Sequence, residues 1–181
     1  MNLRETIASI IEREGGYVNH PLDRGGETNW GITVNTARAF GYKGMMIDMP
    51  RTTAEMIYEQ RYWIQPNFGK IAILSPLIAE EMLDTGVNMG PSTAGKFLQR
   101  ALNVLDQQGK FYPALTVDGA VGAMTIHALK MYLAARGKDG EKVMLRMLNG
   151  QQSVRYMELA EASPSQEAFE FGWQLNRVGG F

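Results

Sequence analysis

The residues best suited to chemistry are two carboxylates that flank a turn-rich segment near the N-terminus. Glu14 precedes Gly15-Gly16, and Asp23 follows nine residues later. Hydrolysis of a glycosidic bond uses such a pair, with one carboxyl as general acid and the other activating water or stabilising an oxocarbenium-like transition state. Thr28 adds a hydroxyl that could orient a water beside Asp23. On residue type alone, the same residues also suit a helix end and ordinary turns.

The surroundings of these residues would suit a sugar. Tyr17 and Trp30 offer flat apolar faces on which a pyranose could lie. Glycines at 15, 16, 25 and 26 would permit tight turns and close approach of a ligand to the backbone. Glu14 also falls on the last turn of a predicted helix, where the partial negative charge of unpaired carbonyls favours a protonated carboxyl group.

The elements that must position these groups are mostly helices. Apolar residues at helical spacing predict a first helix over residues 2 to about 14, which Gly15-Gly16 ends. Residues 17–33 are predicted to form turns with a short, irregular hairpin. Further helices are predicted from Thr33 to Gly41, from a Thr52/Glu55 capping box to Trp63, from Ser75-Pro76 to about Gly90, from Pro91-Ser92 to Leu105, and over 124–136, 140–161 and 166–175. Residues 106–121 are predicted to form a loop.

Composition narrows the possible functions. The chain has 181 residues, enough for one domain with a sizeable core, and its 45% hydrophobic content is typical of a globular protein. A net charge of −1 argues against nucleic-acid binding. The chain has no cysteine and two histidines, which argues against thiol chemistry and a zinc site, so we expect no metal or organic cofactor. Uncharged apolar runs are too short for stable membrane insertion.

Several spaced motifs resemble glycoside hydrolase family 108, which contains phage endolysins and related bacterial N-acetylmuramidases. The N-terminal motif is Glu14-Gly-Gly-Tyr17, Asn19-His-Pro-x-Asp23 and Gly25-Gly26-x-Thr28-x-x-Gly31-Ile32-Thr33, followed by Arg61-Tyr62-Trp63. Later segments are similar to the family's peptidoglycan-binding region, namely Asp84-x-x-Val87-Asn88-x-Gly90-Pro91, Leu98-Gln99-Arg100-Ala101-Leu102-Asn103, Val117-Asp118-Gly119-x-Val121-Gly122 and Trp173-x-x-Asn176-Arg177. The resemblance covers nearly the whole chain.

The resemblance implies a mainly α, lysozyme-like fold with a small N-terminal hairpin. It implies one unit over 1–181, with a catalytic part at 1–68 and a helical, peptidoglycan-binding part at 69–181. The implied activity is cleavage of the β-1,4 bond between N-acetylmuramic acid and N-acetylglucosamine, with Glu14, Asp23 and Thr28 as catalytic residues. Thr33 is a rival to Thr28, because the gap after Asp23 is one residue shorter than in most phage lysozymes, and Glu27 is a weaker rival to Asp23.

Other assignments remain open between two interpretations. Asp84, Asn88 and Gln99 could hydrogen-bond a saccharide, although Asn88 also suits a helix end. Two alternative functions are a lytic transglycosylase, which would use the same glutamate, and a non-catalytic peptidoglycan-binding or secretion-assisting protein. The N-terminus shows no apolar signal region. We therefore expect synthesis in a host cytoplasm and action on periplasmic peptidoglycan after holin-type release. A monomer is the default expectation for the oligomeric state.

Overall fold

The structure is a computed structural model that describes residues 3–19 and 26–178. It is mainly helical with one two-stranded sheet near the N-terminus, as the sequence predicts, and this is consistent with a lysozyme-like fold. Contacts divide the chain into two compact units, Met1–Ile64 and Gln65–Phe181. The division lies a few residues before the predicted boundary at 68. No helix in the described ranges is both long and apolar enough to cross a bilayer.

The first unit packs a short hairpin and three helices together. Its elements are α1 (Leu3–Glu14), β1 (Thr28–Asn29), β2 (Ile32–Thr33), α2 (Val34–Ala39), a 3-10 turn (Met46–Asp48), α3 (Arg51–Glu59) and a π-helical turn (Gln60–Ile64). Ile7, Ile10 and Ile11 form one face of α1 and are buried. They supply the apolar surface with which α1 packs on α3. The predicted first helix is confirmed in both extent and face.

Helices α2 and α3 begin for different reasons, α2 at a side-chain cap and α3 after a proline that restricts the backbone. The Thr33 hydroxyl accepts a hydrogen bond from the Thr36 amide, and thus caps α2 as predicted. The predicted Thr52 cap is wrong, because α3 begins at Arg51 after an extended Pro50. The Arg51 guanidinium binds the Glu55 carboxylate at 3.1 Å. Glu55 therefore pairs with a side chain of the first turn of α3.

The second unit is built from the remaining five helices. They are α4 (Phe68–Leu74), α5 (Pro76–Met89), α6 (Pro91–Leu105), α7 (Ala123–Ala162) and α8 (Glu167–Asn176), the last preceded by a 3-10 turn (Pro164–Gln166). The Ser75 hydroxyl accepts from the Ile78 amide, which confirms the predicted start of α5. Helix α4 was not predicted, because its seven residues are too few to show a clear periodicity.

Helix α7 contains the two predicted helices of the C-terminal half. Gly137 interrupts it with φ 58° and ψ −144°, values outside the helical region. The Tyr132 hydroxyl spans this break and donates to the carbonyl of Gly140 at 2.9 Å. Between α6 and α7, residues 106–122 form a loop as predicted, anchored by Asn103, whose amide bonds both the N–H and the C=O of Leu115.

Candidate active site

Glu14 is the last residue of α1, and its side chain is solvent-exposed. The helix ends there because Gly15 adopts φ 82°, a left-handed conformation that favours glycine. The chain then runs back along the hairpin, where Val18 and Thr28 exchange two backbone hydrogen bonds of 2.9 Å. The segment that follows the glutamate is therefore tied to β1.

The hairpin turn lies directly against the Glu14 side chain. Trp30 and Gly31, with φ of 54° and 73°, connect β1 to β2. Positive φ at both central residues gives the tight turn that matches strand twist in two-residue hairpins. A Cβ atom at Gly31 would lie 2.9 Å from the Cβ and 3.0 Å from the Cγ of Glu14. Only a residue without a side chain leaves room for the glutamate at this place.

A tryptophan at positive φ is strained, and two hydrogen bonds hold it. The Trp30 indole N–H donates to the carbonyl of Met49 at 3.0 Å. The Tyr58 hydroxyl donates to the carbonyl of Trp30 at 3.2 Å, and a Cβ atom at Gly31 would lie 2.5 Å from that hydroxyl. Helix α3 and the segment before it thus hold the turn in position beside Glu14.

Tyr62 extends this group of aromatic residues. Its ring centroid is 5.4 Å from that of Tyr58, and it belongs to the π-helical turn that continues α3. Burial is the main cause of its raised pKa; Arg61 opposes the shift, and the charge of Glu14 adds to it. Tyr62 is therefore within electrostatic range of Glu14. π-helical turns are rare and are often found at functional sites.

Sequence reasoning missed Tyr58 and named Tyr62 only as part of the Arg61-Tyr62-Trp63 motif. The available signal was the i, i+4 spacing of the two tyrosines, which places them on one side of a helix. That spacing is equally typical of core packing. The sequence does not distinguish two tyrosines of the core from two tyrosines beside the active site. Only the tertiary contact of Gly31 with both Glu14 and Tyr58 does so.

The other predicted residues of the first unit differ in how far they are engaged. Asp23 lies outside the described residues. The Tyr17 hydroxyl donates to the Glu27 carboxylate at 3.2 Å. Glu27, the weaker alternative to Asp23 as second carboxylate, is therefore engaged in a hydrogen bond. Thr28 and Thr33 are direct cross-strand partners. Thr33 is engaged in its cap, whereas Thr28 makes a long contact of 3.5 Å to the carbonyl of Val18.

Asp84 and Asn88 lie together in a polar cluster of the second unit. Asp84 accepts from the Asn88 and Gln152 amides at 3.3 and 3.1 Å and pairs with Arg177 at 3.5 Å. Burial, and secondarily the charge of Asp84, raises the pKa of neighbouring Glu81 to about 7. The cluster joins α5 to α7 and to the end of α8.

Gln99 is only 2% exposed. Its amide donates to Asp118 at 2.8 Å and to the carbonyl of Ala120 at 3.1 Å, and its oxygen accepts from the Gly119 amide at 2.8 Å. These bonds hold the turn before α7. The predicted saccharide contact stays a prediction, but the side chain as placed is engaged within the protein. Over residues 3–19 and 26–178, no three acidic or histidine side chains are grouped to hold a metal.

Comparison with known proteins adds family information to this geometry. Residues 7–90 match the sequence model of the family described as Glycosyl hydrolase 108. Residues 93–178 match the one described as Predicted Peptidoglycan domain. The structure is similar to that of Brucella abortus SagA, with a TM-score of 0.69 and 27% identity over 97% of this chain and 88% of that chain.

A curated plant protein shows a partial similarity. Xyloglucan 6-xylosyltransferase 2 of Arabidopsis thaliana is 32% identical over 115 residues, or 59% of this chain. The chain spans only 23% of the length of that protein. This likeness carries no argument about activity.

Proposed function

The chain belongs to the glycosyl hydrolase 108 family through residues 7–90 and carries a peptidoglycan domain at 93–178, and on this basis we propose that it is a peptidoglycan muramidase. The bond cleaved is the β-1,4 linkage between N-acetylmuramic acid and N-acetylglucosamine. The observation that carries the proposal is the position of Glu14. An exposed carboxylate ends a helix, and the Trp30–Gly31 turn and two tyrosines lie beside it.

In the proposed reaction, Glu14 protonates the glycosidic oxygen as the bond breaks. Its carbon stem contacts the position of Gly31, so its rotamers are restricted on one side, which lowers the cost of orienting the proton donor. Asp23 positions a water molecule or stabilises positive charge at the anomeric carbon, and Thr28 assists it. Tyr17 and Trp30 bind the sugar rings.

The stereochemical outcome follows from the separation of the two carboxyl groups. A separation of roughly 6.5–9.5 Å leaves room for a water molecule and inverts the anomeric configuration, and one of roughly 5–5.5 Å retains it through a covalent intermediate. We further propose that the enzyme serves bacterial lysis as a phage-type endolysin, released to the periplasm after synthesis.

The test is mass spectrometry of borohydride-reduced fragments from purified peptidoglycan. Wild-type protein is expected to produce new reduced muramic-acid ends. Glu14→Gln is expected to lower their rate of formation about 10²–10⁴-fold, the usual contribution of a general acid. Glu12→Gln, an exposed glutamate on the same helix with a surface ion pair to Arg51, is the matched control and should retain activity.

Other outcomes identify other functions. Anhydro-muramic ends, together with full activity of Asp23→Ala, would identify a lytic transglycosylase. New reduced glucosamine ends would show that the enzyme cleaves the other glycosidic bond of the strand, on the reducing side of N-acetylglucosamine. An absence of new ends from folded wild-type protein would leave a peptidoglycan-binding protein without turnover.

A further inference from the structure

A groove on the second unit lies between α6 and α7. It has a volume of about 390 Å³, within the range of small-ligand sites. It lies wholly within the residues that match the peptidoglycan domain. Its apolar surface comes from Phe97, Ala101, Val104, Met147 and Val154. Val104 and Val154 are exposed, so this apolar surface faces solvent.

Gly150 lines the groove and has no structural need to be glycine. It lies inside α7 and its φ is not positive, and a Cβ atom built on it would meet nothing within 4 Å. Gly86 and Gly140 differ from it, because a Cβ atom there would approach Phe68 and Arg136 closely. Glycine in a helix interior costs stability relative to alanine. The space above Gly150 is therefore open to the groove and available to a ligand.

Gln151 adds an unsatisfied polar group to the groove wall. Its Nε2 donates to the carbonyl of Phe97 at 3.0 Å and to that of Met147 at 3.2 Å. Its Oε1 is buried and has no hydrogen-bond donor among the described residues. Buried acceptors in proteins are nearly always paired. This oxygen is closed off from solvent, so a rotation of the Gln151 side chain would be needed to bring it to a ligand N–H.

The charged residues of the groove favour an anionic ligand. Arg100 and Arg155 contribute two guanidinium groups, and Glu158 contributes one carboxylate. Arg155 pairs with Glu158 at 2.8 Å, so that negative charge is compensated. Arg100 has no ion-pair partner within the described part of the chain and is exposed. Guanidinium groups bind carboxylates with paired, charge-assisted hydrogen bonds.

We propose that this groove binds the peptide of peptidoglycan rather than its glycan. That peptide combines alanine methyl groups, amide N–H groups and free carboxylates. The methyl groups match the apolar surface and the carboxylates match Arg100, while the space above Gly150 admits the peptide backbone. The inference rests on the proposed function in taking peptidoglycan as the partner. It adds a second contact to the substrate, separate from the residues assigned to cleavage.

The test is calorimetric titration of the full chain with a synthetic N-acetylated tetrapeptide, L-Ala-γ-D-Glu-L-Lys-D-Ala. The same peptide with its carboxylates amidated and an N-acetylglucosamine tetramer serve as comparison ligands. Wild-type protein is expected to bind the free-acid peptide more tightly than either. Arg100→Ala is expected to weaken binding of the free-acid peptide about tenfold, but not that of the amidated peptide.

Gly150→Leu tests the groove by filling it. Leucine forms helices more readily than glycine, and the position is open, so the melting temperature should not fall. Binding of the tetrapeptide should weaken by at least about tenfold. Gly172→Leu in α8 and Arg146→Ala on α7 are the matched controls, because Gly172 is equally open and Arg146 lies outside the groove. Both should bind as wild type does.

Two results would overturn the inference. One is equal binding by Gly150→Leu and wild type; the other is a wild-type protein that binds the glycan tetramer but not the peptide. Cleavage of peptide-free glycan strands is measured in parallel. If wild type cleaves them and ignores the tetrapeptide, the groove assignment fails and the muramidase stands. If it binds the tetrapeptide and cleaves nothing, the muramidase fails and the groove stands.

Discussion

Gly31→Ala should separate the activity of the enzyme from its stability. The added methyl group would lie 2.9 Å from the Cβ of Glu14 and 2.5 Å from the hydroxyl of Tyr58. Carbon atoms in van der Waals contact are about 3.5–4.0 Å apart, so the Glu14 stem must move by about half an ångström or more. Displacement of this kind at a catalytic group costs up to about 10²-fold in rate. We therefore expect the rate of reducing-end release from peptidoglycan to fall roughly 10–100-fold.

The stability cost has a backbone part that a control can isolate. Alanine at φ 73° is disfavoured by about 1–2 kcal/mol. For a chain of this size that lowers the melting temperature by about 2–8 °C. Gly41→Ala carries the same backbone cost at φ 86°, but its Cβ atom would meet nothing within 4 Å. Gly41→Ala should therefore lose only the backbone part of that stability and keep its activity.

A second variant tests which contact matters. Adding Tyr58→Phe to Gly31→Ala removes both the hydroxyl at 2.5 Å and its hydrogen bond to the Trp30 carbonyl, so the two effects on stability oppose each other, while the contact with Glu14 and the loss of activity remain. If folded Gly31→Ala cleaves peptidoglycan within twofold of Gly41→Ala, the turn does not position Glu14 and the reasoning fails.

Two further predictions concern the second unit. The pKa of Glu81 is raised to about 7 by burial and by Asp84, so the folded state holds its proton more tightly than the unfolded state does, and stability should fall as pH rises from about 4.5 to 7. Glu81→Gln should remove that slope, and its free energy of unfolding above pH 7 should exceed that of wild type by about 2–3 kcal/mol. Denaturant titrations from pH 4 to 8 would measure this difference. Equal slopes in the two proteins would contradict the prediction. Gln99→Leu should cost about 1–3 kcal/mol, because the Gly119 amide loses its acceptor, with the cleavage rate of the folded protein unchanged. A loss of activity without a loss of stability would instead support a saccharide contact for Gln99.

Local chemistry made many elements predictable. The caps at Thr33 and Ser75 each depend on a side chain and an amide three residues later, so the signal lies within one turn of helix. The helical spacing of Ile7, Ile10 and Ile11 similarly predicts both α1 and its buried face without information from elsewhere in the chain. Capping at Thr52 failed because Pro50 already sets an extended conformation at the residue before α3, and α3 can begin one residue earlier.

The sequence indicates which residues are candidates for the site, but it does not give their arrangement. Glu14 and Gly31 are 17 positions apart, and no periodicity relates them. Their contact depends on a turn with a strained Trp30, which tertiary hydrogen bonds from Tyr58 and to Met49 stabilise. At Gln99, side-chain type alone did not indicate that the amide holds a loop within the protein.

The break at Gly137 determines the length of the longest straight helix in α7. An unbroken helix of 40 residues would extend about 60 Å, whereas a compact domain of about 117 residues is only about 35 Å across. With the break, one part is about 21 Å long and the other about 37 Å, so neither is much longer than that dimension. The left-handed conformation at Gly137 thus makes so long a helical segment compatible with a domain of this size, and the hydrogen bond from Tyr132 to Gly140 links the two parts across the break.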